Sequence, residues 1–66
     1  ELIEPLTERE LEVLALLPSH LSSLEIADRL YIATSTARTH IKNVYSKLSV
    51  HSRGEAVQRA QDLGLI

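Results

Sequence analysis

Residues 22–48 read SSLEIADRLYIATSTARTHIKNVYSKL, and this stretch decides the fold. Ser22 followed three residues later by Glu25 is a helix-start signal. The hydroxyl accepts from a free N–H of the first turn, and the carboxylate reaches back to the N–H of the cap itself. A helix over 23–30 follows, and Leu21 before the cap with Ile26 inside the helix makes an apolar staple that fixes how the chain enters it. The turn Tyr31-Ile32-Ala33 then leads into a longer helix over 34–48. At 100° per residue Ala37, Ile41, Val44, Tyr45 and Leu48 share one stripe, the face turned to the core. Two helices joined by so short a turn need small residues where they cross. Ala27 and Ala37 supply them, and Ile32 is expected to plug the turn into the core. This is the spacing of a helix-turn-helix.

The flanks extend the pattern. Thr7 with Glu10 and Ser52 with Glu55 repeat the start signal and open helices over about 7–16 and 53–63, with Leu6 and Leu11 as a second staple pair. Pro18 cannot sit in a helix interior and disfavours helical backbone at Leu17, so the first helix ends near Leu16. Gly64 stands where a left-handed residue would close the last helix. No alternating β-branched run marks a strand, and there is no repeat or low-complexity segment. The expectation is all-α: a compact four-helix bundle containing a helix-turn-helix, one domain over 1–66.

A chain of 66 residues buries only about 60% of the surface that its unfolded form exposes, so its stability rests on economical packing. Without cysteine it has neither disulfides nor a thiolate metal site, which suits a reducing cytoplasm. No apolar run approaches the roughly 20 residues of a membrane span, and no signal peptide is visible, so a soluble cytoplasmic chain is expected. The chain starts at Glu1 rather than methionine and carries nothing like a sensor. It is therefore expected to be a piece of a longer protein, with the regulation held elsewhere.

The formal net charge of -2 argues against a polyanionic partner until its distribution is read. Residues 1–28 carry seven acids, Glu1, Glu4, Glu8, Glu10, Glu12, Glu25 and Asp28, against the single base Arg9. Residues 29–53 carry five bases, Arg29, Arg38, Lys42, Lys47 and Arg53, and no acid. With the core stripe of the third helix fixed, its opposite face presents Ser35, Arg38, Thr39, Lys42 and Ser46, while Thr36, His40, Asn43 and Lys47 lie along one flank. Arg and Lys reach guanine edges, Thr and Ser adapt, and Lys, Asn and Thr bond phosphate oxygens. A solvated helix would usually mix signs, so a face of one sign favours a ligand, here double-stranded DNA. The capture step expected of it is electrostatic, through Arg38, Lys42, Lys47 and Arg53.

At this point the residues resemble the LuxR-type, or GerE-type, DNA-binding domain of bacterial transcription regulators, over nearly the whole chain. Leu6-Thr7-Glu8-Arg9-Glu10 with Val13-Leu14 looks like the opening of that family, and Ser22 through Ile26-Ala27 and Leu30 like its second helix. Thr36, His40, Asn43, Lys47-Leu48, Val50, Arg53, Ala56-Val57, Ala60 and Leu63-Gly64 continue in register. Tyr45-Ser46-Lys47-Leu48-Ser49-Val50 and Ala56-Val57-Gln58 carry a narrower likeness to the C-terminal domain of large ATP-dependent regulators of the MalT kind.

The resemblance implies transcription control by a homodimer on paired half-sites, nucleoid-associated when bound, with RNA polymerase as a further partner. It places the third helix in the major groove and the fourth at the dimer contact. It implies base contacts from Arg38, Thr39 and Lys42, and backbone contacts from Thr36, Asn43, Lys47 and Arg53. It also implies a dimer surface including Gln58, Gln61 and Asp62, with Ala56 and Ala60 packing closely inside the domain. Three positions depart from the family pattern. Ala33 replaces a common capping Ser, and His20 and Ser49 stand where glycine often closes a helix. A left-handed backbone at either would cost about 1 kcal/mol relative to glycine.

Other functions have less support. No nucleophile with a positioned base, paired carboxylates or phosphate loop is present, and Gly54 and Gly64 are the only glycines, so no enzyme and no cofactor are expected. His20, His40 and His51 place no two ligands on one helical turn, so no metal is expected either, and His40 reads as a flank residue orienting backbone or phosphate. Tyr31 and Tyr45 read as packing and capping residues rather than base-stacking ones. Glu10 and Arg53 are a candidate ion pair between the first and fourth helices. The rival functions are a helical protein-interaction adaptor, which would need an exposed apolar groove, and a sigma-factor-like promoter reader. Against the latter stand the fourth helix and the Lys47-Leu48-Ser49-Val50 run with Arg53.

Overall fold

A computed structural model describes residues 5–66; Glu1 and Glu4, counted above among the acids, lie outside them. Four helices follow one another: α1 (Glu8–Leu16), α2 (Ser23–Leu30), α3 (Thr34–Leu48) and α4 (Arg53–Asp62). No strand occurs among the described residues, and no helix is long and apolar enough to cross a membrane.

The helix starts follow the sequence signals. Thr7 and Ser22 form complete capping boxes with Glu10 and Glu25. At α4 the box is displaced by one residue: the Ser52 hydroxyl accepts from the Glu55 N–H, but the Glu55 carboxylate accepts from the N–H of His51. Ala33 gives α3 no side-chain cap. The ends share another device. After α2, α3 and α4 the chain passes through a left-handed residue, Tyr31 (φ 57°), Ser49 (φ 59°) and Gly64 (φ 73°). In each case the next N–H bonds back across the last turn: Ile32 to Ala27, Val50 to Tyr45 and Leu65 to Ala60. Ser49 and Gly64 are where such a residue was expected. His20 does not adopt this backbone, and Tyr31, read as a packing and capping residue, is the C-cap of α2 but does not pack, being 96% exposed.

The core joins all four helices. Val13, Leu14 and Leu17 come from the end of α1, Ile26 from α2, Val44 and Leu48 from α3, and Ala56 and Ala60 from α4. Ile41 and Tyr45 pack against this cluster from the same stripe of α3. Ala27 and Ala37 are buried, which lets α2 and α3 approach closely. Ile32 is only half-buried, so the turn is closed chiefly by its backbone bond to Ala27. Leu21 and Ile26 both meet the core, whereas Leu11 of the other staple stays 37% exposed.

Candidate nucleic-acid interface

The core stripe of α3 fixes what the helix turns outward. Ser35, Arg38, Thr39, Lys42 and Ser46 are all exposed, as are Thr36 and Asn43 on the flank, while His40 and Lys47 are half-buried. Arg38 and Lys42 stand one turn apart and make no hydrogen bond or ion pair among the described residues. Thr39 differs: its hydroxyl donates to the Ser35 carbonyl at 3.0 Å. On the flank, His40 has its Nδ1 buried without a hydrogen-bond partner among the described residues.

Farther along the chain the bases are engaged within the protein. Lys47 Nζ lies 2.7 Å from Glu10 Oε1 and also donates to the Pro5 carbonyl at 3.3 Å. Glu10 is only 3% exposed, and its carboxylate also accepts from the Thr7 N–H. Burial works against its charge, but the hydrogen bonds from Lys47 and Thr7 and the positive charge of Lys47 outweigh it and hold the carboxyl below the usual range. The pair thus ties the last turns of α3 to the start of α1.

Arg53 serves the other end of α1. That helix has no basic residue in its last turn; the Leu17 N–H bonds back to the Leu14 carbonyl and the Ser19 N–H to that of Leu16, and the carbonyls of the turn that follows take donors from elsewhere. Arg53 Nε donates to the Leu17 carbonyl and Nη1 to that of Leu21, at 2.8 and 2.6 Å. Nη2 reaches the carbonyls of Ser19 and Leu16, at 2.8 and 3.5 Å. Four of about five guanidinium N–H donors are thereby used at the α1–α2 connection. The Glu10–Arg53 ion pair is not formed, because a closer cation takes the carboxylate and a row of carbonyls takes the guanidinium. For the same reason Arg53 is not one of the free cations.

On α4, Ala56 and Ala60 are fully buried, and Gln58, Gln61 and Asp62 are exposed, with Gln58 Nε2 donating to Asp62 Oδ1 at 3.0 Å. A shallow cleft beside this surface is lined by Pro18, His20, Gly54, Val57, Gln58 and Gln61.

A short turn between two closely packed helices, the second offering an exposed basic and polar face, defines the class: a helix-turn-helix DNA-binding domain of transcription regulation. The chain belongs to the luxR family of bacterial regulatory proteins, GerE, whose pattern matches residues 4–60. It is 52% identical over 59 residues to the HTH-type transcriptional regulator MalT of Serratia proteamaculans and, equally, to that of Yersinia pestis. Each match takes in 89% of this chain, which spans about 6% of the length of those relatives. Among solved structures, the transcription factor GerE superposes with a TM-score of 0.83 at 38% identity, over 91% of this chain and 90% of GerE. The response regulator ChrA of a heme-sensing two-component system superposes with a TM-score of 0.90 at 36% identity, over all of this chain and 33% of ChrA.

Proposed function

We propose that this domain reads a specific double-stranded DNA site by laying the outward face of α3 in the major groove. The observation that carries the reading is the pair Arg38 and Lys42, exposed, one turn apart and unpartnered among the described residues, on a face without an acid. Both can reach the O6 and N7 acceptors of guanine, and Thr39 between them completes the base-reading set. Thr36 and Asn43 on the flank bond the phosphate backbone and fix the register of the helix. Lys47 adds positive potential beside the backbone while it holds Glu10, and Arg53 acts by supporting the fold.

The same reading includes a homodimer on paired half-sites, joined through the exposed side of α4 at Gln58, Gln61 and Asp62, with the half-site spacing set by the two-fold axis. It places the domain in the cytoplasm, on the nucleoid when bound, within reach of RNA polymerase.

The test is selection of bound duplexes from a random pool by the wild-type chain and by the Arg38→Ala, Lys42→Ala double variant, at two salt concentrations. Enrichment of an inverted or direct repeat, lost in the double variant, is expected. Each single substitution should cost about 1–3 kcal/mol and relax preference at one position. Salt-sensitive binding without enrichment would make this a non-specific binder, and no binding would favour the adaptor.

A further inference from the structure

Threonine has one hydroxyl donor, lone pairs that accept, and one methyl group. In Thr39 the donor is already spent, because Oγ1 donates to the Ser35 carbonyl one turn back at 3.0 Å. The residue is nevertheless exposed, on the outward face beside Arg38 and one turn before Lys42. With the hydroxyl proton turned onto its own helix, the γ-methyl and an oxygen lone pair are left to meet a ligand, and the lone pair can serve only an amino donor. A base contact through the hydroxyl proton would first have to break a bond already made, and so would gain little.

We infer that Thr39 reads a thymine through its methyl group, packing against the C5-methyl in the major groove. Thymine alone among the four bases offers a methyl there and no amino donor, whereas Arg38 and Lys42, which can only donate, suit the acceptors of guanine. The inference rests on the reading that α3 enters the major groove, and it adds a property of the ligand. Each half-site holds a T·A pair next to the bases taken by Arg38 and Lys42, and that pair is told from C·G by shape rather than by a hydrogen bond.

The experiment takes the duplex selected by the wild-type chain and replaces each thymine in turn with deoxyuridine, which removes the methyl and leaves the hydrogen-bonding edge unchanged. One thymine in each half-site is expected where uracil weakens wild-type binding about fourfold, the worth of one buried methyl. Thr39→Val, apolar at both branches, keeps this uracil penalty. Thr39→Ser, which keeps the hydroxyl and drops the methyl, loses it and binds both duplexes alike. Circular dichroism of the two variants confirms that each is folded. The absence of any sensitive thymine, or a penalty that survives in Thr39→Ser or vanishes in Thr39→Val, would overturn the inference and leave the α3 reading intact. Failure of the wild-type chain to select any sequence would overturn both.

Discussion

The outward face of α3 and the stretch from its last turn into α4 carry the same kind of residue and use it in opposite ways. Arg38 and Lys42 are exposed and unpartnered among the described residues, whereas Lys47 is held by Glu10 and Pro5, and Arg53 by the carbonyls at the α1–α2 connection. The difference comes from what lies opposite. Helix α1 brings a carboxylate into the protein and is followed by a turn whose Leu17, Ser19 and Leu21 carbonyls take side-chain donors, so the bases that reach them are recruited into the fold. Among the described residues nothing comparable bonds Arg38 or Lys42 in the middle of α3. A run of basic residues therefore contains both unpartnered and structural charge among the described residues, and only long-range packing separates them.

Lys47→Ala would break this contrast most severely, because it leaves the Glu10 carboxylate almost buried without its cation. A loss of about 3 kcal/mol is expected, lowering the melting temperature by on the order of 15 °C. Arg38→Ala and Lys42→Ala should stay within about 0.5 kcal/mol of wild type. Thermal denaturation of the three variants decides whether the two regions differ as described. The Glu10 charge also gives the contrast a pH signature. A carboxyl lowered on folding stabilises above its unfolded value, near pH 4.3 for glutamate, and this contribution is lost as pH falls through the folded value. Glu10→Gln should flatten the acid limb of stability against pH, leaving the share of caps such as Glu25, which the Ser22 N–H holds low.

Arg53→Ala comes next. It removes charged donors from carbonyls that water can partly serve, so about 2 kcal/mol is expected, and denaturant melts would show it. Arg53→Lys should recover only part, since an ammonium lacks the planar fork. Sequence preference should be unchanged in whatever fraction remains folded. The smallest effect tests the turn between α2 and α3. Tyr31→Gly relieves a left-handed backbone and should raise stability by about 1 kcal/mol. A decrease would mean that the exposed ring contributes packing of its own.

The fold was legible because its signals are local. Thr7, Ser22 and Ser52 mark starts within four residues, Pro18 marks an end, and the stripe from Ala37 to Leu48 sets the inward face of α3. The exposed members of the candidate site followed from that stripe. Partners distant in sequence were not legible: Lys47 and Glu10 are 37 residues apart, and Arg53 and Leu17 are 36. A signal for Arg53 did exist, since α1 stops before Pro18 without glycine or a basic last turn, which leaves the carbonyls of the following turn open to a donor from elsewhere. Tyr31 gave no such warning, because glycine is the residue that advertises a left-handed backbone.

The Arg53 guanidinium also has a consequence for motion. Helix α1 closes on local bonds, from the Leu17 N–H to the Leu14 carbonyl and from the Ser19 N–H to that of Leu16, and the first residue of α4 adds a guanidinium across the Leu17, Ser19 and Leu21 carbonyls just beyond it. The turn after α1 is therefore tied to the start of α4, and α4 cannot detach without uncovering the carbonyls of that turn. Deuterium uptake at these two places would be expected to rise together, as one cooperative unit. A partner that grips α4 would slow exchange at the end of a helix it never touches.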